Sequence, residues 1–334
     1  MKRMLLGVMG LWMAIDAQAI VFEHKDWILA CEPTGICRAA GYQPEGNFEP
    51  LSVLLTRQAG QNQSLQGAVQ FDSPLAQSYG LRMQGRQLGT VTTNKQGIAR
   101  LSSQQLQLLV ASAHQSTKIE FFRANQVWVL SDQGLKAVLL KMDDVQRRVG
   151  TPSALVSIGQ KSQQYILKPR PTPITVAQPI HAKTSSLLPN TPQAQKIFQI
   201  LKPHTKEEDC PLLYQTNSWD SDRVELTSLD AQRQLVIAPC WKAAYNVGSG
   251  AWIMDSTFKK LIKKVDYSIS ERTGSQLIAV HKGRGIGDCI SQKQWTWNGR
   301  DFIQTLEQST GLCKGFAGGA WELPTLKHHL KGID

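Results

Sequence analysis

Gly283-Arg284-Gly285-Ile286-Gly287 has the glycine density of a loop that cradles phosphate. Such a loop needs a strand before it and a helix N-terminus after it, so that backbone N–H groups converge on the anion. Here Asp288-Cys289 follows and strand-like sequence resumes, so the run is expected to be a tight turn that positions a disulfide. Arg284 and Asp288 are expected to pair locally, with an anionic ligand for Arg284 as the alternative. A second candidate is Phe258–Val265, where Phe258, Leu261, Ile262 and Val265 recur at helical spacing. As a helix it would set Lys259, Lys260, Lys263 and Lys264 around an apolar stripe, a form suited to anionic surfaces. The stretch is only about two turns long, so a solvated surface element is expected. These four lysines and Arg284 are the candidate anion-binding residues, and their binding would weaken as salt rises.

Hydrolytic chemistry needs a nucleophile beside a base. The chain has no Gly-x-Ser-x-Gly elbow, and its seven histidines (His24, His114, His181, His204, His281, His328, His329) are scattered. His281 stands out because it precedes the glycine run, yet a lone strand histidine reads first as structural. Adjacent His328 and His329 point in different directions and make no shared metal face. Asp143-Asp144 beside Arg147-Arg148 reads as pairing on a helix surface. Trp219, Trp241, Trp252, Trp295, Trp297 and Trp321 crowd the second half; Trp295 and Trp297 share a strand face, but core packing is the expectation over a carbohydrate platform. No catalytic residue, metal or cofactor is assigned.

The six cysteines are Cys31, Cys37, Cys210, Cys240, Cys289 and Cys313, with no Cys-x-x-Cys or His-x-x-x-His spacing among them and the histidines. An even count in an exported chain implies disulfides rather than zinc. Six cysteines allow fifteen connectivities. Pairing of sequence neighbours, Cys31–Cys37, Cys210–Cys240 and Cys289–Cys313, is the expectation. Export is read from the N-terminus: Lys2 and Arg3, the short apolar run Met4–Ile15, and the small-x-small site Ala17-Gln18-Ala19. Cleavage would remove residues 1–19 and leave a soluble periplasmic chain starting at Ile20, with no further stretch of about 18 apolar residues to span a membrane.

The elements that must position these groups fall into two parts. Residues 20–167 read as an α+β domain on an antiparallel sheet. Its strands are HKDWILAC, 51–57, 66–71, 119–123 and 127–130; its helices are Ser102–Ala113 and one capped by Ser131 that runs through Val149. Residues 168–192 carry six prolines and read as an extended, semi-rigid linker. Residues 193–334 start with a helix at Thr191-Pro192 and continue as a β-rich domain. Turns are expected at Ser221-Asp222, Leu229-Asp230 and Trp297-Asn298-Gly299-Arg300, the last a hairpin signal. The fold class is thus α+β, mostly antiparallel β, in two disulfide-bonded domains joined by the Pro-rich linker.

Several stretches together resemble a bacterial exported family classified only as domain of unknown function 1176. They are DWILACEPTGICRAAGYQ (Asp26–Gln43), SVLLTR (Ser52–Arg57), LLKMDDVQRRVGTPSALV (Leu139–Val156), APCWKAAYN (Ala238–Asn246), GRGIGDC (Gly283–Cys289) and WTWNGRDF (Trp295–Phe302), followed by Cys313. The tail GGAWELPTL departs from the family's usual Trp-Pro-rich ending. The first part is more distantly similar to invasion-associated locus B proteins, which share the W-x-x-x-C opening. The resemblance implies a soluble, envelope-associated protein and carries no catalytic residues.

The net charge is +11, from 37 Lys+Arg and 26 Asp+Glu. The basic excess is not a nucleic-acid footprint, because it spreads along the chain. Residues 151–192 contribute Lys161, Lys168, Arg170 and Lys183 with no acid. The charge suits an anionic envelope polymer or an envelope protein as partner. The leading expectation is a non-enzymatic binding or accessory protein of the cell envelope; the alternative is an envelope hydrolase with an unrecognised site.

Overall fold

The computed structural model describes residues 19–47, 49–73, 75–215 and 223–332. The leader reading (residues 1–18), Trp219 and the Ser221-Asp222 turn lie outside the described residues. Strands in the first half are β1 (Ile20–His24), β2 (Trp27–Cys31), β3 (Cys37–Tyr42), β4 (Leu51–Arg57), β5 (Gln66–Phe71), β6 (Ser78–Met83), β7 (Arg86–Thr92), β8 (Ile98–Arg100), β9 (Ile119–Arg123) and β10 (Gln126–Leu130). They form an antiparallel sheet ordered β1-β2-β3-β4-β5-β8 and a smaller one ordered β10-β9-β6-β7. Helix α1 (Ser103–Ala111) is capped by Ser102 in a capping box with Gln105. Helix α2 is Leu135–Val145.

In the second half come β11 (Ile174–Val176), β12 (Ser185–Leu187), helix α3 (Pro192–Leu201, capped by Thr191), β13 (Val224–Ser228), β14 (Arg233–Lys242), β15 (Val247–Asp255), β16 (Leu261–Ile269), β17 (Glu271–Thr273), β18 (Gln276–Lys282), β19 (Ile290–Trp297), β20 (Phe302–Ser309), β21 (Leu323–Lys327) and β22 (His329–Lys331). Two five-stranded antiparallel sheets result, β12-β13-β14-β15-β16 and β17-β18-β19-β20-β21. The structure is mostly antiparallel β with few helices.

Both halves contain strands buried on two faces. In β2, Trp27, Leu29 and Cys31 join the core under α1, α2 and the smaller sheet, whereas Ile28 and Ala30 pack with Phe316, Ala320, Trp321 and Leu323 from the C-terminal segment. In β14, Leu235 and Ile237 face the last sheet, and Val236, Ala238 and Cys240 face α3 and the Cys210 loop. Strands covered on both sides read as continuous apolar runs, as WILAC and LVIA do.

Three expectations are corrected. The helix expected from Ser131 through Val149 is shorter. Ser131 closes β10: its N–H bonds to the Tyr42 carbonyl and its hydroxyl accepts from the Gln133 N–H. The cap is Gly134 at φ 103°, where a Cβ would fall 2.0 Å from the His24 carbonyl oxygen. The helix stops because Arg147 turns left-handed at φ 57° and the Arg148 N–H bonds back to the Asp143 carbonyl at 2.7 Å. Residues 258–265, expected as a solvated surface element, form an exposed turn and the start of a strand rather than the alternative helix. The Asp255 carboxylate gathers the N–H groups of Thr257, Lys259 and Lys260 into a turn, and β16 then pairs with β15. Asp143 does not pair on a surface; it is fully buried. Finally, the Pro-rich stretch is extended but docked. β11 runs parallel to β22, β12 pairs with β13, and Arg170, Ala177 and Gln178 donate N–H bonds to Thr34, Lys331 and Trp297. The Asn-Gly hairpin forms as a four-residue loop in which the Asn298 side chain accepts from the Arg300 and Asp301 N–H groups.

Candidate functional site

An open cleft of about 1300 Å³ lies between the two halves. The first half supplies the β1–β2 hairpin and the turn after β3; the second supplies β20, the segment 311–315 and the glycine loop 284–286. Asp26, on the hairpin turn, meets Lys314 Nζ at 2.7 Å, with both side chains about one-sixth exposed. Gln43 donates through Nε2 to the Lys314 carbonyl at 2.8 Å and accepts from the Leu51 N–H at 3.2 Å. The Leu312 N–H donates to the Tyr42 hydroxyl, whose pKa is pushed up by burial. Gly311 makes this approach possible: at φ 91°, a Cβ there would stand 1.8 Å from the Tyr42 oxygen. The floor of the cleft is therefore a fixed polar seam between the halves. Further in, Trp321 Nε1 donates to the buried Ser52 hydroxyl at 2.7 Å.

The wall carries both charge signs. Glu23, Glu45 and Glu307 face it together with Lys25 and Arg284. Arg284 makes a two-pronged ion pair with Asp288, through Nε at 2.6 Å and through its terminal nitrogen. The Arg284 guanidinium, with burial working against it, holds the Asp288 carboxyl below its ordinary range. Asp288 also accepts the Gly315 N–H at 2.7 Å, so it joins the glycine loop to the segment across the bridge.

The bridges are Cys31–Cys37, Cys210–Cys240 and Cys289–Cys313. Asp288 lies near Cys289 and Cys313 in a cluster that has metal-ligand atom types. The two sulfurs are joined to each other, so the cluster offers no thiolate. Strand β19 follows the glycine loop, so no helix N-terminus faces it and the phosphate-loop geometry is missing.

The other candidates scatter. Lys259 and Lys260 sit exposed on the Asp255 turn. Lys263 pairs with Asp301 at 3.2 Å, and Lys264 lies 4.5 Å from the centre of the Tyr267 ring. β16 is the outer strand of its sheet, where lysines also discourage edge-to-edge pairing. His281 packs on Trp241 with ring centres 5.2 Å apart, and its buried Nε2 has no hydrogen-bond partner among the described residues. Trp252, Trp295, Trp297 and Trp321 are buried, and Trp241 donates to the Tyr267 carbonyl at 2.9 Å.

Asp143 is instead the centre of a buried network. Its carboxylate accepts the Leu155 and Val156 N–H groups at 2.6 and 3.2 Å and meets Arg57 at 3.3 Å. Arg148, fully buried, donates to the Gln146 side chain and to the carbonyls of Gln58 and Gly60. Burial pushes the Asp143 carboxyl up and Arg148 down to about 10, the latter with Arg57 repelling it. This network ties the end of α2 to the loop after β4; it faces no cleft.

Sequence reasoning missed Asp26, Gln43 and Lys314 as a connected set, and placed Asp143 on a surface rather than in its buried network. The signal available was weak: polar residues beside Gly311, Gly315 and Gly46, at turns that recur in sequence without indicating which turns meet.

Fold and site together define a disulfide-bridged, mostly antiparallel β protein with an open cleft between its halves. The chain belongs to a family described as protein of unknown function (DUF1176), whose model matches residues 21–328. It is similar to the uncharacterized protein YpfG of Escherichia coli (strain K12), at 24% identity over 226 residues, covering 59% of each chain. The chain thus spans about three-fifths of that relative's length. No solved structure matches the chain. Among the described residues, no helix is long and apolar enough to cross a membrane.

Proposed function

We propose that the protein is exported to the periplasm and acts there as a non-enzymatic binding or accessory protein of the cell envelope. In this reading it has two units, 20–167 and 193–334, and the cleft between them is its ligand site. The observation that carries the reading is the cleft itself, which is wide and open, mixes charged, polar and apolar lining, and is held by contacts from both halves. Pockets at the junction of two units are a common location for ligand sites. Three disulfides with no free cysteine fit an oxidising compartment. The exposed Lys259 and Lys260, with Lys263 beside Asp301 and Lys264 beside Tyr267, remain a second candidate for an anionic envelope polymer, whereas Arg284 is engaged with Asp288.

The test is co-sedimentation of the mature chain with purified envelope fractions at low and high salt. Two variants accompany it: Ser291→Trp, which puts a large ring into the cleft from an exposed position on β19, and Ala at all four lysines. Sedimentation lost in Ser291→Trp supports the cleft as the site. Salt-sensitive sedimentation lost only in the lysine variant moves the site to the β15–β16 turn and refutes the cleft. No sedimentation of the unaltered chain at either salt refutes envelope binding.

A further inference from the structure

We infer that two adjoining loop tips, residues 242–247 between β14 and β15 and residues 282–287 of the glycine loop, dock the protein on an anionic phospholipid bilayer. Tyr245, Val247 and Ile286 enter the interface, and Lys242, Lys282 and Arg284 face the headgroups. This surface is separate from the cleft reading and does not depend on it.

The tips are neighbours. A Cβ on Gly285 would lie 3.4 Å from the Tyr245 ring. The Asn246 side chain bonds both the N–H and the C=O of Lys282 at 2.9 Å, which clips the hairpin tip to the end of β18. Ile286 is three-quarters exposed, Tyr245 and Val247 are each about half exposed, and Ala243 and Ala244 beside them are exposed as well. Glycine on either side of Ile286 leaves no adjacent side chain to cover it. Single exposed apolar residues are ordinary surface, but these gather in one place and both tips are held. The Ala243 N–H bonds to the Asn246 carbonyl at 2.8 Å, and the Gly287 N–H to the Arg284 carbonyl at 2.9 Å. The Cys289–Cys313 bridge and a 3.0 Å bond from the Gly318 N–H to the Gly287 carbonyl fix the base of the glycine loop. Tips already ordered lose little conformational freedom when they bind.

Charge selects the partner. Lys242 stands opposite Val247 in the strand register, so a cation and an apolar side chain share one face of the hairpin. Lys282 is exposed, and Arg284 keeps about half of its side chain exposed while it pairs with Asp288. Neither tip contains an acid, and Asp288 at the base of the glycine loop is buried. The cleft that Ile286 borders does carry the carboxylates of Glu23, Glu45 and Glu307, but Lys25 lines it with them and Lys293 meets Glu307 at 3.6 Å. The chain as a whole carries a net charge of +11, which draws it toward an anionic surface before contact. At a bilayer surface, tyrosine settles at headgroup level with its hydroxyl in water, and lysine lays its stem along apolar groups while its ammonium reaches the phosphates. A protein partner fits the tips less well. A stable interface takes about 800 Å² from each side, more than a few side chains on two loop tips present.

The test is sedimentation of the mature chain with vesicles of phosphatidylcholine alone and of phosphatidylcholine carrying phosphatidylglycerol at about one lipid in three. The chain is expected to sediment with the anionic vesicles, less as salt rises, and not with the neutral ones. Tyr245→Ser combined with Ile286→Ser is expected to weaken binding about tenfold, and Lys242→Ala combined with Lys282→Ala several-fold with a smaller salt dependence. All four positions are exposed, so both variants should melt with the unaltered chain. Ala at Lys259, Lys260, Lys263 and Lys264 should leave vesicle binding unchanged. In Ile286→Trp, brominated phosphatidylcholine in the anionic vesicles should quench emission beyond its effect on the unaltered chain. Absence of sedimentation with the anionic vesicles overturns the inference, as does equal sedimentation with the neutral ones. So does a serine variant that binds as before, or an added indole that is not quenched. Binding lost only in the four-lysine variant moves the lipid contact to the β15–β16 turn and likewise overturns it. Vesicle binding and the Ser291 dependence of envelope sedimentation are separate readouts, so either reading can fail while the other stands.

Discussion

Truncation of Trp321 tests how the two halves are held together. Its indole is 9% exposed, lies in a cluster with Ile28, Ala30, Ala40 and Tyr42 of the first sheet, and donates its N–H to Ser52 at 2.7 Å. Neighbours Phe316, Ala320 and Leu323 reach the same face with smaller side chains. A buried tryptophan covers about 150–250 Å², which at about 25 cal/mol/Å² amounts to about 4–6 kcal/mol; measured truncations of this kind cost about 3–5 kcal/mol. The first half has its own core under α1 and α2, and the second has two more on the faces of the β12–β16 sheet. Loss at the junction therefore leaves each half's core intact and removes what couples them. Scanning calorimetry of Trp321→Ala is expected to show the melting temperature falling by about 8–15 °C, at roughly 2–4 °C per kcal/mol for chains of this size, with one transition resolving into two. Trp321→Phe keeps most of the apolar contact and loses the hydrogen bond, so it should cost only about 1–2 kcal/mol. A fall below about 3 °C in Trp321→Ala would refute the packing argument. A large fall with one sharp transition would refute the two-unit reading.

Asp143→Ala should cost about 3–5 kcal/mol in urea unfolding, because it strands the buried Arg57 guanidinium and the Leu155 and Val156 N–H groups and removes the charge that offsets Arg148; a cost under about 1 kcal/mol would show that the network is solvated. The Arg284–Asp288 pair predicts a pH dependence. A carboxyl whose folded pKa is depressed contributes stability that is present above its unfolded value, here 3.8, and is lost as pH falls through the folded one. The gap in urea midpoint between the unaltered chain and Asp288→Asn should therefore be full at neutral pH and close below pH 3.8; a gap constant through that range contradicts the pairing.

The limits of legibility follow the range of the interactions involved. Strands β4, β5 and β9, the α1 and α3 caps, and the Asn298-Gly299 loop were readable because each depends on alternation, a capping side chain or a turn residue within a few positions. Residues 258–265 left a helix open as an alternative because an i, i+3, i+4, i+7 pattern of only eight residues also suits a turn followed by a strand. Three N–H groups gathered by Asp255 decide between them. The end of α2 was misplaced because Gly150 resembles a stop signal, whereas the stop is Arg147, which turns left-handed so that Arg148 can reach the carbonyls of Gln58 and Gly60. Asp143 was misjudged for the same reason: its guanidinium partner Arg57 lies 86 positions away.

By itself, the order of residues determined the mostly antiparallel β character, the even set of cysteines and the local turns, because these depend on side-chain chemistry and short-range spacing. Tertiary structure alone decided that the Pro-rich stretch is docked rather than free, since its hydrogen-bond partners Thr34, Trp297 and Lys331 come from both sides of it in the chain. It also decided that β2 is buried on both faces, because the second cover is a segment nearly 300 positions downstream. The cleft belongs to that second class. Asp26 and Lys314 are ordinary surface residues in sequence and become a seam only where the chain's two ends meet.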